Sequence, residues 1–223
     1  MIALRIVCAL ALMAVASPAL AQTKERIGLF VADARGASVG LPTAVGWTPA
    51  VPTGTNVPSR GFGIDLGAHV YVLRMRWASI GVGAAWVTAE STTTPPETST
   101  TPGSTATNST IPDVTTRFTT LAPQVSLNFG HSLGWSYVSA GLGGSKVESE
   151  ATLATGTTTF SPVKTGWVKS LNWGGGARWF VNDHVGIGFD LRWHKLNPLP
   201  ATTTNVGGPR VTMLVAGAGV VLK

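Results

Sequence analysis

The histidines of this chain lack the spacing of a metal site, and its one glycine-rich segment with a lysine lacks the spacing of a nucleotide site. Its histidines follow no metal-ligand spacing and stand at His69, His131, His184 and His194. The segment GLGGSK at 141–146 has glycines and a lysine, but it lacks the spacing of a phosphate-binding loop and no helix follows it. The sequence therefore predicts no cofactor and no metal.

The clearest chemical pattern lies in VGIGFDLRWHK, residues 185–195. Large apolar residues occupy every second position, and glycines, Asp190, Arg192 and His194 stand between them. A period of two over this length predicts a β-strand with two unlike faces. One face is apolar and the other is small or ionisable, so the strand must separate two environments.

The same division of large from small side chains recurs along the chain. In the segment 77–90, Gly81 and Gly83 alternate with Ile80 and Val82. A row that faces solvent would carry charged residues, whereas repeated glycine indicates a lack of space. The interior of an eight-stranded barrel just fits side chains, so we predict that the small row faces inward and the large row faces lipid.

Two kinds of connector separate the strands that we predict. The eight predicted strands are approximately 25–35, 60–73, 77–90, 116–129, 135–149, 165–180, 185–196 and 210–222. Short links (74–76, 130–134, 182–184) alternate with long ones (36–59, 91–115, 150–164, 197–209). Outer-membrane barrels place tight turns on the periplasmic side and long loops outside. The predicted fold is all-β, an eight-stranded antiparallel up-and-down transmembrane β-barrel.

Residues 1–21 are predicted to be a cleavable signal peptide. Arg5 precedes an apolar run over 6–16 that is too short to span a bilayer as a helix, and Ala19-Leu20-Ala21 forms a small-x-small cleavage site. The barrel domain is then 22–223. The only cysteine, Cys8, lies in the leader, so the exported protein has no disulfide.

The composition favours a membrane protein over a soluble exported domain. Hydrophobic residues make up 44% of the chain and charged residues only 12%, about half the usual 25%. The net charge of +6 is modest and the basic residues do not cluster with aromatic ones, which argues against nucleic acid as a partner. The Thr/Ser/Pro-rich connector 91–115 is predicted to be a flexible external loop.

The small row also carries the ionisable residues, which predicts a polar network in the barrel lumen. Its expected members are Asp65, His69, Arg178, Asp190, Arg192 and His194, joined by Gln124, Asn128 and Asn172. A turn at 182–184 sets Arg178 opposite Gly188 and diagonal to Asp190. Because buried charges need partners and diagonal neighbours are within reach, we predict an Arg178–Asp190 contact.

Six tryptophans are predicted to form two aromatic belts on the lipid face. The periplasmic belt comprises Trp77, Trp135 and Trp179, and the external belt comprises Trp86, Trp167 and Trp193. Amphipathic indoles prefer membrane–water interfaces, which is the reason for this assignment.

In its architecture the chain resembles the small outer-membrane barrels of the OmpA/OmpX/Ail type, over residues 22–223. The resemblance rests on the signal peptide, the alternating strands, the aromatic belts and the last strand VTMLVAGAGVVLK. It implies residence in the outer membrane of a Gram-negative bacterium, contact with lipopolysaccharide and assembly by the barrel assembly machinery. Such proteins often end in an aromatic residue, whereas this chain ends Leu222-Lys223.

Three functions follow as alternatives. The first is a non-enzymatic barrel, which either has a structural role in the envelope or binds an external ligand through its loops. In this barrel, two alternatives are open for the rim lysines, which either contact lipopolysaccharide phosphates or are merely solvated: Lys146, Lys164, Lys169 and Lys195.

The second is a lipid A-modifying enzyme, because WHKLNP at 193–198 is similar to the His-x-Ser-Asn segment of lipid A deacylases. Leu196 stands at the serine position, so the nucleophile is missing. The third is a narrow porin-like channel, which a filled eight-stranded lumen opposes.

Overall fold

The computed structural model describes residues 27–94, 111–153, 160–203 and 206–223. The predicted signal peptide and most of the predicted Thr-rich loop lie outside these residues. Within them, no helix has the length and apolar character needed to cross a membrane.

The described chain forms a closed antiparallel sheet. Its strands are β1 (Phe30–Gly40), β2 (Arg60–Arg74), β3 (Ser79–Thr93), β4 (Asp113–His131), β5 (Gly134–Thr152), β6 (Val163–Lys164), β7 (Val168–Phe180), β8 (Val185–Leu196) and β9 (Val211–Leu222). Each long strand pairs with the next, and β9 pairs with β1 to close the ring. The two-residue β6 continues the pairing of β7 along β5. The predicted eight-stranded up-and-down barrel is confirmed.

The strands are staggered around the barrel. Following the pairings once around from Val39 leads back to Leu29, ten residues earlier, whose carbonyl oxygen accepts from the Tyr71 amide. A stagger of ten over eight strands tilts them by about 40° from the barrel axis. This tilt sets a narrow interior that side chains can fill.

Short and long connectors alternate as predicted and therefore lie at opposite ends of the barrel. The short ones are 75–78, 132–133 and 181–184, at what we call the short-loop end. The long ones are 41–59, 94–112, 153–167 with β6 inside it, and 197–210, at the long-loop end.

Two predicted strand boundaries are wrong. The first strand begins at Phe30 rather than near residue 25 and runs on to Gly40, because β2 pairs with it as far as Gly40 and β9 as far as Val39. The strand predicted over 165–180 begins only at Val168, because residues 165–167 separate β6 from β7 and Gly166 among them adopts a φ of 62°. That left-handed conformation favours glycine and turns the chain out of the sheet.

The large row faces outward and the small row faces inward, as the alternation predicts. On β8, Ile187 is 59% exposed, whereas Asp190 is 2% and His194 is 1% exposed. The outward residues from Val185 to Trp193 are all apolar. With the tilt of about 40°, these residues cover a height of roughly 20 Å. At this level the outward positions of the other long strands also carry no charged residue, so a charge-free band surrounds the barrel.

The interior has three layers along its axis. An apolar layer at the short-loop end consists of Ile27, Val31, Tyr71, Trp135, Phe180 and Val221. A larger apolar layer at the long-loop end includes Val39, Trp47, Phe118, Leu196, Leu199 and Met213. Polar and ionised side chains fill the space between the two. The sequence predicted the polar middle but not the apolar ends.

Candidate functional site

Three aspartates and three arginines form an ionic network in the middle of the lumen. They are Asp33, Arg35, Asp65, Arg178, Asp190 and Arg192, each at most 4% exposed. Strand alternation turns all six inward from β1, β2, β7 and β8. Their formal charges balance, which is the condition for burying so many ions.

Each arginine of the network is paired with an aspartate. Arg178 makes a two-point contact with Asp33, with Nε 2.9 Å from Oδ1 and Nη2 2.7 Å from Oδ2. The Nε of Arg35 donates to Asp65 at 2.9 Å. Arg192 donates through Nε and Nη2 to the two oxygens of Asp190, at 3.1 and 2.9 Å.

Tyr137 joins these pairs into one network. Its hydroxyl accepts a hydrogen bond from Nη1 of Arg35 at 3.1 Å and donates one to Asp190 at 2.6 Å. The guanidinium of Arg178 lies 4.0 Å from the centre of its ring, a cation–π contact. One side chain of β5 thus contacts residues of β1, β7 and β8.

The predicted Arg178–Asp190 contact is not formed, and this is a correction. The predicted register is present, with Arg178 opposite Gly188 and Gly176 opposite Asp190. Arg178 instead reaches across the lumen to Asp33. Both oxygens of Asp190 already accept hydrogen bonds, from Tyr137 and from Arg192, which lies on β8 with Asp190. Register alone does not include contacts across the lumen.

Inward glycines make room for this network. A Cβ on Gly67 would lie 3.4 Å from both the Arg35 guanidinium and Asp33, and one on Gly176 would lie 2.8 Å from the Tyr137 hydroxyl. The glycine rows therefore leave the space in which large polar side chains fit.

The other predicted lumenal residues are also inside, but they are less well connected. Gln124 donates to Asn172 at 3.2 Å, and Asn172 lies 3.5 Å from Nη1 of Arg192. The ring nitrogens of His69 and His194 make no hydrogen bond within the described chain. His194 instead packs edge-on against Phe118, with ring centroids 5.9 Å apart. The remaining predicted amide, Asn128, donates to the Ser79 carbonyl and to Ser126.

Sequence reasoning missed three members of the network. Asp33 and Arg35 alternate with alanines in the first strand, which is a signal for one inward face. Tyr137 has the same parity as Ser139, Gly141 and Gly143, the small residues of its strand, and this parity is a signal for the inward face. Its role as a junction could not be predicted, because it depends on residues of three other strands.

Five of the six predicted belt tryptophans face outward. Trp77 and Trp179 lie at the short-loop end, and Trp86, Trp167 and Trp193 lie towards the long-loop end. Trp77 stacks on Phe129 with centroids 6.1 Å apart.

The assignment of Trp135 to the belt is wrong. It is 3% exposed and lies inside the barrel, stacked on Phe180 with centroids 4.8 Å apart and edge-on to Tyr71. It belongs to the inward row of β5 together with Tyr137 and Ser139, so its position near the turn does not decide its face.

The long loops close one end of the barrel. Trp47 is fully buried, and its indole nitrogen donates to the Pro209 carbonyl oxygen at 2.8 Å, joining the connectors 41–59 and 197–210. Above this contact lies a groove of about 970 Å³ with walls that include Val45, Phe160 and Val206. The groove is mostly apolar and carries one charged residue, Lys164.

Outward charges at the long-loop end divide into two sectors. In the first, on β3–β6, each cation has a carboxylate partner: Arg117 with Glu90, Lys146 with Glu148 and Lys164 with Glu150. In this sector the hydrogen bond from Lys146 lowers the pKa of Glu148, and the hydrogen bond to Glu90 raises the pKa of Arg117. We call this the paired sector. It lies beyond the apolar band.

The second sector carries cations alone. Arg60, Lys169, Lys195 and Arg210 lie on or next to β2, β7, β8 and β9. In the described part of the chain, none of their side chains has a hydrogen bond or ion pair. We call this the open sector.

The described ranges offer no cluster of metal ligands, and two key positions of the deacylase-like segment are enclosed. They contain no group of three or more His, Cys, Asp or Glu suited to a metal. His194 is enclosed in the lumen, and Leu196, at the position of a nucleophile in the deacylase-like segment, is fully buried.

Similar proteins were found among solved structures only. No protein-family model and no curated protein matches the sequence. The crystal structure of Neisserial surface protein A (NspA) is 15% identical, with a TM-score of 0.49 over 88% of this chain and 97% of that one. Ail, the attachment invasion locus protein of Yersinia pestis, is 12% identical, with a TM-score of 0.44 over 87% of this chain and 99% of Ail. A second Ail structure, in complex with the heparin analogue sucrose octasulfate, is 11% identical, with a TM-score of 0.43 over 86% and 96%.

Proposed function

We propose that this chain is an integral outer-membrane β-barrel with a structural or surface-interaction role and no enzymatic activity. The observation that carries the proposal is the charge-free outward band around a closed barrel. Soluble monomers rarely expose contiguous apolar patches beyond a few hundred Å². A closed ladder leaves no unpaired backbone edge within the band, which is what a hydrocarbon environment requires.

The ends of the barrel support an orientation in that membrane. We place the short-loop end in the periplasm and the long-loop end outside, as in other outer-membrane barrels. The outward tryptophans then lie near the two interfaces, where indoles are favoured. Export by the predicted signal peptide, assembly by the barrel assembly machinery, contact with lipopolysaccharide and an external ligand for the loops are parts of the same proposal.

The lumen argues against a channel. Apolar layers fill both ends of the interior, and the ionic network fills its middle. An eight-stranded barrel has room for side chains rather than for a column of water.

The deacylase alternative has little support in the geometry. An activating histidine needs a hydroxyl or thiol within hydrogen-bond reach and a route for its substrate. His194 packs against Phe118 inside the barrel, whereas acyl chains would meet the outer face.

The test is heat-modifiable gel mobility of refolded protein in detergent and in phospholipid vesicles. A folded barrel should migrate differently from the boiled sample, and the part of it within the apolar band should resist protease. If boiling left the gel mobility unchanged after refolding in vesicles, the proposal would be overturned. On the folded protein, planar-bilayer conductance above background would favour the channel, and release of acyl chains from lipid A would favour the enzyme.

A further inference from the structure

The open sector combines like charges that have no counter-charge within the described chain. Lys195 lies opposite Leu171 on β7 and opposite Thr212 on β9, so Lys169 and Arg210 are its diagonal neighbours on the two sides. Diagonal neighbours in a sheet have Cβ atoms roughly 7–8 Å apart. Like charges at such distances repel one another unless an anion lies between them.

Backbone pairing holds the two outer cations of this trio, Lys169 and Arg210, on either side of the end of β8. The amide of Asn197, the residue after β8, donates to the Lys169 carbonyl oxygen at 3.0 Å. On the other side of β8, the ladder of β8 and β9 ends at Leu196 and Val211, directly before Arg210. Arg60 continues the row beyond β1, where it pairs with Gly40.

The open sector lies directly beyond the apolar band. Lys195 lies two residues after the outward Trp193 on the same face of β8. Lys169 likewise lies two residues before the outward Leu171 on the same face of β7. The connectors 41–59 and 197–209 above this part of the barrel contain no charged residue. No acidic residue of these connectors is therefore available as a counter-charge.

The paired sector shows that the contrast is local. On β3–β6 three cations at the same end each have their own glutamate. A general need for solubility would distribute charges of both signs around the rim. Among the described residues, the cations without a partner at the level where lipid headgroups would lie are on one side of the barrel.

We propose that the open sector is a binding site for the phosphate groups of a phosphorylated glycolipid of the outer leaflet, that is, of lipopolysaccharide. This inference rests on the proposed outer-membrane function and adds to it a one-sided site. Lys169, Lys195 and Arg210 bind phosphate oxygens through charge-assisted hydrogen bonds, while acyl chains lie on the apolar band below. Arg60 extends the site, and the paired sector does not contribute.

The test compares two triple variants with equal loss of charge. K169Q/K195Q/R210Q removes the open sector, and R117Q/K146Q/K164Q removes the same charge from the paired sector. Each refolded protein in uncharged detergent is titrated with lipopolysaccharide, and binding is measured by native mass spectrometry. A cation near an anionic lipid surface is worth about 1 kcal/mol, so we expect binding to weaken by roughly fivefold for each open-sector cation removed. The paired-sector variant should lose much less.

Dephosphorylated lipid A and phosphatidylglycerol identify the ligand chemistry. The wild-type protein should not bind dephosphorylated lipid A, and it should bind phosphatidylglycerol more weakly than lipopolysaccharide. Equal losses in both triple variants, equal binding of dephosphorylated lipid A, or equal binding of phosphatidylglycerol would each overturn the site. Heat-modifiable mobility is recorded for every sample. If the wild type fails to fold, the proposed function fails, whereas folded variants that all bind alike refute only the open-sector site.

Discussion

Arg178 on β7 and Asp33 on β1 form a two-point ion pair across the barrel lumen, 145 residues apart in the chain. Both side chains are almost completely excluded from solvent. The pair connects strands that share no backbone hydrogen bonds, so it stabilises the closed cross-section rather than any one hairpin.

Removing one member of the Arg178–Asp33 pair should therefore lower the free energy of unfolding of the barrel. R178M leaves the Asp33 carboxylate buried without its main partner, and removing one member of a buried pair typically costs about 3–5 kcal/mol. We expect a loss of this size in the free energy of unfolding, measured by reversible urea unfolding in vesicles. The double variant R178M/D33L should cost less than the sum of the single variants, because no lone charge remains. R117Q, in an exposed pair, is the control and should cost at most about 1 kcal/mol. Similar losses for both arginines would contradict the proposed importance of the lumenal pair.

The inward glycines should tolerate no side chain where they face the network. G176A places a Cβ 2.1 Å from the Phe189 carbonyl oxygen and 2.8 Å from the Tyr137 hydroxyl. Such overpacking should destabilise the barrel by about 1–3 kcal/mol, as measured by the same unfolding experiment. G36A is the matched control, since its Cβ would face outward with the nearest atom 4.0 Å away. If both substitutions were neutral, space would not be the reason for the glycine row.

Trp135 and Trp179 lie near the same end of the barrel on opposite faces, and lipid-borne quenchers should distinguish them. In bilayers of brominated phospholipid, W179F should reduce the quenchable part of the fluorescence, because Trp179 is 46% exposed on the outer face. W135F should leave that part unchanged, because Trp135 is enclosed by Phe180 and Tyr71. A larger effect of W135F would show that Trp135 faces the bilayer after all.

The paired sector should respond to acid. The hydrogen bond from Lys146 lowers the pKa of Glu148, so its stabilisation is fully present above the ordinary pKa of glutamate and is lost as the pH falls through the lowered value. NMR titration of carboxyl-labelled protein should give Glu148 a lower pKa than an unpaired glutamate. K146M should raise that pKa towards the ordinary value, whereas K195M should leave it unchanged. An equal response to both substitutions would indicate a long-range field rather than the direct hydrogen bond.

The sequence predicts the strands and their faces well for identifiable reasons. Alternation along 185–195 needs only the geometry of one strand, and the turn at 182–184 determines the register of β7 and β8, including the pairing of Trp173 with Trp193. Boundaries were less predictable. The end of β1 at Gly40 depends on its pairing with Arg60 of β2 across a long connector, and the break before β7 depends on the conformation of Gly166.

The lumenal site was predicted in part of its membership, without Asp33, Arg35 and Tyr137, and not in its connections. Parity along each strand places Arg178 and Asp190 inside, yet the partner of Arg178 is Asp33. The error at Trp135 is of another kind, because its place beside a turn suggested the membrane interface although its strand parity already indicates the inward face, where it packs on Phe180.

From sequence alone, local periodicity determined the all-β class, the number of barrel strands, the alternation of loops and the inward position of the ionisable row, because each follows from spacing along one strand or hairpin. Tertiary structure decided which arginine meets which aspartate, that apolar layers close both ends of the lumen, and that the unpaired cations found in the described part of the long-loop end lie together on one side. These features depend on the stagger of the closed barrel, which brings distant strands to the same height and is a property of all strands together.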